Sequence, residues 1–224
     1  MASVFMRIGG ACIIFLAVAA VRADVKTTVE RNQDAGATPA FKFKNVPTPV
    51  KDNAARKAKI TIVDGTNDDL GGGLEQVNDG RLPGEEDEPA ANFFFAQNSD
   101  GGRLQFDLGK PIEIKQINSY SWHPNTRGPQ VYKLYASDGT GAGFKAEPKR
   151  GTDPTKVGWK LIATVDTRPK NKDEMGGQYG VSTADSAGAA IGKYQYLLFD
   201  IKQTEGDDAF GNTFYSEIVV VEKK

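Results

Sequence analysis

Beyond residue 40 the chain is a succession of short alternating runs. Leu104, Phe106 and Leu108 share one side of the stretch 103–108, and Ile112, Ile114 and Ile117 follow the Gly109-Lys110-Pro111 turn. Trp159, Leu161, Ala163 and Val165 alternate in the same way, and the last run, 214–222, alternates around Glu217. A period of two is that of a strand with one buried face. The run 131–136 is rich in aromatics, and 194–201 is apolar almost throughout, as a strand covered on both sides would be. Residues 60–63 form another strand candidate, 41–43 a very short one, and 52–59 has helical propensity leading into the strand at 60. No run of ten or more residues past the N-terminal segment has helical periodicity. The predicted fold class is therefore all-β, a single antiparallel β-sandwich domain over residues 41–224. Glycine-rich stretches at 64–73, 139–158 and 170–192 read as long loops, which in a compact domain are functional or mobile. Residues 24–40 are polar and aperiodic and read as a leader or linker.

The N-terminus adds a compartment. Arg7 precedes an apolar run, Ala11 to Val21, too short to span a bilayer comfortably, and Val21-Arg22-Ala23 places small residues where a signal peptidase cuts. The expectation is a signal peptide over 1–23, a mature chain from Asp24, and a secreted, periplasmic or cell-envelope location without membrane insertion. An uncleaved anchor is the alternative. Removal takes away Cys12, the only cysteine, so the mature chain has no thiol or disulfide, and loss of Arg7 and Arg22 moves the formal charge from −1 to −3. Acids and bases are interspersed, which points to neither nucleic acid nor anionic membrane as partner. At about 200 residues the chain can stand on its core alone, and 25 glycines with 11 prolines favour many turns and short strands.

Candidate chemistry concentrates in Ser121-Trp-His-Pro-Asn-Thr-Arg127, which holds the single histidine and one of two tryptophans. Turns ask for Gly, Pro, Asn and Asp; Trp, His and Arg on a loop carried by a rigid sheet are the stuff of ligand sites. Trp122 would offer a flat face to the C–H side of a sugar ring, and His123, Asn125 and Arg127 would hydrogen-bond its hydroxyls. Each has a plainer alternative: Trp122 in the core's edge, His123 on a backbone carbonyl, Arg127 paired with a loop acid. Tyr120, Tyr132 and Phe93-Phe94-Phe95 read as core, although one of three consecutive phenylalanines must face elsewhere. The acidic run from Asp64 to Asp69, with Glu75, departs from the EF-hand pattern at Thr66 and Asp69 and reads as a polar loop. Asp207 and Asp208 read as solvated.

The order Val77-Asn-Asp-Gly80, Leu104-Gln-Phe-Asp-Leu-Gly-Lys-Pro111, Val131 to Ser137-Asp-Gly139, Gly158-Trp159 and Ser216-Glu-Ile218 resembles the galactose-binding-like jelly roll, in particular the discoidin or coagulation-factor C-type domain and its carbohydrate-binding-module relatives. The resemblance spans about residues 55–222 and implies a jelly-roll sandwich whose ligands lie on loops at one end. It also implies a structural calcium ion held by Asp79 and Glu217 with carbonyls such as that of Asn78. Calcium takes six to eight oxygen ligands from carboxylates and carbonyls; Asn78-Asp79-Gly80 is equally a simple β-turn. Unlike many extracellular members this chain has no disulfide between the domain's ends, which resembles the bacterial carbohydrate-binding branch.

Catalysis finds little in the residues. One histidine and no mature cysteine exclude thiol proteases and zinc sites built on several His or Cys ligands, and neither Gly-x-Ser-x-Gly nor a phosphate-binding glycine loop occurs. The expected function is a non-catalytic module binding a glycan or polysaccharide. Two rivals stay open: an envelope-protein interaction domain of the same fold, and a polysaccharide hydrolase or lyase using loop carboxylates.

Overall fold

In the computed structural model, residues 23–33, 36–206 and 209–224 are described, so the signal peptide expected over 1–23, all but its last residue, and the pair Asp207–Asp208 lie outside. Eight strands form: β1 (Val25–Asn32), β2 (Lys59–Asp64), β3 (Gly102–His123), β4 (Val131–Ser137), β5 (Lys160–Asp166), β6 (Gly177–Asp185), β7 (Gly192–Ile201) and β8 (Tyr215–Glu222). Every strand pairing is antiparallel. The only helical elements among the described residues are short 3₁₀ turns, and no helix there is long and apolar enough to cross a membrane.

The long strand β3 serves two layers. Its first half, 102–107, lies between β2 and β7, and β7 continues to β4 and β5. Its second half, 114–123, lies between β6 and β8, and β6 continues to β1. The Gly109-Lys110-Pro111 segment, expected as a turn between two strands, is instead the place where one strand passes from layer to layer. The register against β7 shifts there, Gly109 has φ +79°, and its N–H is held by the Asp107 carboxylate at 2.8 Å. Leu104, Phe106, Leu134, Leu197 and Phe199 of the first layer bury against Val181, Ile218 and Val220 of the second. The jelly-roll sandwich expected from the sequence is the architecture found.

Four local expectations are corrected. Residues 25–32, expected within the polar leader, form β1, paired in full register with β6 from Val25↔Asp185 to Asn32↔Gln178. The segment is polar, but Val25, Thr27, Thr28 and Val29 are β-branched, and an edge strand with an open face needs no more. Residues 177–185, expected within the glycine-rich 170–192 loop, form β6; Gly180 is a seat for the Phe43 ring, since a Cβ there would stand 2.7 Å from it. Phe41 and Phe43 lie outside any strand, and the helical propensity at 52–59 yields one 3₁₀ turn, Ala54–Lys57, capped by the Asn53 side chain.

The remaining long segments cover the outer faces of the layers. The stretch 138–158 lies over Val63, Tyr135, Trp159 and Leu198, with Phe144 and Val157 packed on them. Buried Arg103 holds it by donating to the carbonyls of Pro148, Lys149 and Thr152 while pairing with Asp200 at 3.1 Å. On the opposite face Phe41, Phe43 and Val46 cover Tyr120, Trp122 and Val219. The Glu30 carboxylate accepts from the backbone of Asn45 and Val46, and the Tyr120 hydroxyl donates to the Pro47 carbonyl at 2.5 Å.

Candidate functional site

The four residues expected to form a ligand site do not converge. Ser121, Trp122 and His123 still belong to β3, so their side chains alternate between faces. Trp122 turns outward under the covering segment, 6% exposed, with its ring perpendicular to Phe41 at 5.8 Å. It is core, and the sugar platform expected of it is not there. Asn125 is exposed at the tip of the turn, where its backbone N–H donates to His123 Nδ1 at 3.0 Å. His123 is buried, edge-on to Phe214 at 4.7 Å, with Nε2 3.8 Å from the exposed Asp87 carboxylate. Tyr120 and Tyr132 are core, as expected.

Arg127, the last member of the set, borders an open cleft. Its guanidinium carbon lies 4.4 Å from the ring centres of both Phe94 and Phe214, which stack on each other at 4.2 Å. Its Nε donates to the Asn212 carbonyl at 3.2 Å. A cation against aromatic faces is attracted by the ring quadrupole, and two rings with a fixed carbonyl hold the planar fork in one orientation. Of the three consecutive phenylalanines, Phe93 and Phe95 enter the main core and Phe94 is the one that faces elsewhere, toward Arg127.

Around Arg127 opens a cleft of about 310 Å³ lined by Thr66, Asn67, Asp69, Leu70, Gln97 and Phe210. Its walls are set by backbone pairing. Asn67 bridges Phe95, the Thr66 carbonyl accepts from Ala96, and buried Asp68 takes the N–H groups of Leu70 and Gln97 on its two oxygens, each at 3.0 Å. Asp68 is thereby occupied as a brace, whereas Asp69 is exposed. Leu70 and Phe210 are 75% and 52% exposed, unusual for large apolar side chains, and the Phe210 ring centre is 5.7 Å from the Arg127 guanidinium carbon. Phe210 and Leu70 escaped the sequence reading, whereas Phe94 answers the expectation that one of three consecutive phenylalanines faces elsewhere. Phe210, an aromatic close to acids and next to glycine with no strand pattern around it, carried a local signal of its own.

The second candidate centre lies where β8 meets the 78–81 turn. Glu217 is 1% exposed; its Oε2 accepts from the Gly80 N–H at 2.9 Å, and Oε1 is buried with no hydrogen-bond partner among the described residues. Burial pushes its carboxyl up to about 8, against the Gly80 N–H and with the nearby Asp79 charge adding to the rise; the Arg56 charge opposes it. Asp79 closes the turn through the Arg81 N–H at 2.7 Å, and Gly80 has φ +69°. The Asn78 carbonyl accepts from the Arg56 guanidinium at 2.7 Å, which leaves it a second lone pair. The simple turn is thus formed, and its Gly80 N–H is tied to the Glu217 carboxyl. Among the described residues no three His, Cys, Asp or Glu side chains group around a possible metal position, so backbone carbonyls and water would have to complete any calcium shell.

No protein-family model matches the chain, and no curated protein matches it. Among solved structures it is similar to CpGH89CBM32-6 produced by Clostridium perfringens (18% identity, 77% of this chain and 100% of that one, TM-score 0.43). It is also similar to the family 32 carbohydrate-binding module from C. perfringens NanJ in complex with galactose (11%, 75% and 96%, TM-score 0.47). A third is a His 62 mutant of the lectin binding domain of lectinolysin complexed with Lewis b (13%, 80% and 99%, TM-score 0.48).

Proposed function

We propose that this is an exported domain that binds a glycan or polysaccharide without altering it, in the cleft between Leu70, Gln97, Arg127 and Phe210. One observation carries this: a planar donor, Arg127, oriented by stacked Phe94 and Phe214, stands beside the half-exposed ring of Phe210. An aromatic face with adjacent planar hydrogen-bonding groups matches the two sides of a sugar ring, apolar C–H and polar hydroxyl. The single histidine is engaged through Nδ1 and packed on Phe214, which suits a structural role better than proton transfer. Screening the full chain on a glycan array, then titrating the strongest hit into wild type, Arg127→Ala and Phe210→Ala, tests the proposal. Loss of at least about tenfold in affinity in both folded variants is expected, as for a truncated binding anchor. Turnover of the glycan, or capture of an envelope protein with no glycan binding at all, would overturn it.

A structural calcium ion completes the proposal. The observation favouring it is the buried Glu217 Oε1, which has no hydrogen-bond partner among the described residues and whose carboxyl is pushed up by burial and by the neighbouring Asp79 charge: a cation there would let that carboxyl ionise. Asp79, Glu217 and the Asn78 carbonyl are the protein groups that would hold the ion, and its chemistry would be to neutralise that pair and tie β8 to the turn.

A further inference from the structure

We infer that cleavage after Ala23 creates an α-ammonium group at Asp24 that docks on Asp185, so that signal removal itself fastens the open end of the β1–β6 pair. This rests on the export proposed above. Asp24 is already seated in the structure: its backbone nitrogen donates to Asp185 Oδ2 at 2.8 Å. Its carbonyl accepts from the Ser186 N–H at 2.9 Å, and its side-chain Oδ2 accepts from the Ser186 hydroxyl at 2.8 Å. The receiving carboxylate is a built one. Asp185 is 8% exposed, and its other oxygen, Oδ1, is held by the N–H groups of Ala187 and Ala189 at 3.0 Å each, leaving Oδ2 aimed at the chain start.

Hydrolysis adds water across the Ala23–Asp24 peptide bond, leaves a carboxylate on Ala23 and gives the Asp24 nitrogen its protons. The atom that donated one neutral N–H then carries three donors and a full positive charge at the same distance from Asp185. The bond it replaces is charged on the acceptor side alone; the ammonium turns it into an ion pair with charge on both partners. Two independent features meet here: the small residues that mark a cut after Ala23, and the first residue whose nitrogen, carbonyl and side chain are all bonded to the β6–β7 turn. The charged groups around the new terminus are the carboxylate of Asp24 itself, Asp185 at the end of β6, and Lys223 beyond β8, which lies near enough to favour the Asp185 anion.

An α-amine ordinarily titrates at about 7.7–8.0. Pairing with Asp185 raises that value in the folded state, so the added stability is complete below about pH 8 and is lost as pH rises through the raised value. The experiment takes the exported full chain, finds its first residue by intact mass, and compares three forms: one starting at Asp24, one starting at Ala23, and one starting at an Nα-acetylated Asp24. The Asp24 form is expected to melt about 1–3 °C higher at pH 7, the range for a partly exposed ion pair. Its amine is expected to titrate above the ordinary range by NMR, and the advantage should vanish near pH 10. Asp185→Asn should level the three forms; because it also weakens the Ala187 and Ala189 bonds, the acetylated form carries the comparison if that variant does not fold. A first residue other than Asp24, equal melting of the three forms, or an amine titrating at its ordinary value would each overturn the inference while leaving glycan binding untouched.

Discussion

Two residues five positions apart, Trp122 and Arg127, show how far side-chain chemistry can be read without a backbone. Both are types that bind sugars, and both lie in the one stretch the sequence singles out. The backbone separates them: Trp122 stands on the face that Phe41 covers, while Arg127 emerges past the turn against Phe94 and Phe214. The alternation that sends Trp122 outward and His123 inward was available only once β3 was known to run to His123. Substitution separates the roles. Trp122→Ala is expected to cost about 3–5 kcal/mol of stability, as for a large aromatic removed from a packed core, and to leave the affinity of the remaining folded protein unchanged. Denaturant unfolding together with glycan titration checks this; a loss of affinity at unchanged stability would return Trp122 to the site.

At the level of elements, β3, β5 and β8 were legible through alternation, and β4 and β7 through their aromatic or almost continuously apolar runs, because most of the residues that mark each strand are themselves buried in it. The elements that escaped are those whose burial is supplied by something distant in sequence. β6 reads as a glycine-rich loop because Gly180 gives up its side chain to the Phe43 ring. β1 reads as a leader because its outer edge is solvated. The 138–158 stretch reads as a free loop because nothing local shows that buried Arg103 will gather three of its carbonyls. Arg103→Ala leaves those carbonyls and the Asp200 carboxylate short of their donor, and breaking a buried pair on one side typically costs about 3–5 kcal/mol. Limited proteolysis should then cut within 138–158 faster than in the wild type. Unchanged cleavage would mean that Trp159 and Phe144 hold the cover without Arg103.

Across the whole molecule, β3 joins two layers whose ends differ in character. One end carries the turns that bear Leu70, Gln97, Arg127 and Phe210. At the other, a cleft of about 680 Å³ is lined by Lys57, Lys110, Lys115 and Lys223 with Asp52 and Glu222. Between them, on β8, sits Glu217, whose Oε1 finds no hydrogen-bond partner among the described residues and motivates the calcium proposal. Millimolar calcium should raise the melting temperature by several degrees, since about 100-fold excess over the dissociation constant is worth about 2.7 kcal/mol. The rise should disappear in Asp79→Ala and Glu217→Gln. A melting temperature indifferent to both calcium and chelator would mean that the Glu217 carboxyl stays protonated in its pocket.

The binding end is the central claim, and it is a claim of place. Backbone amide chemical-shift mapping of the full chain during titration with the strongest array glycan tests it most directly. Perturbations confined to 66–70, 96–97, 127–128 and 209–212 are predicted. Perturbations centred on the lysine-lined cleft, or on the 41–50 cover above Trp122, would contradict it.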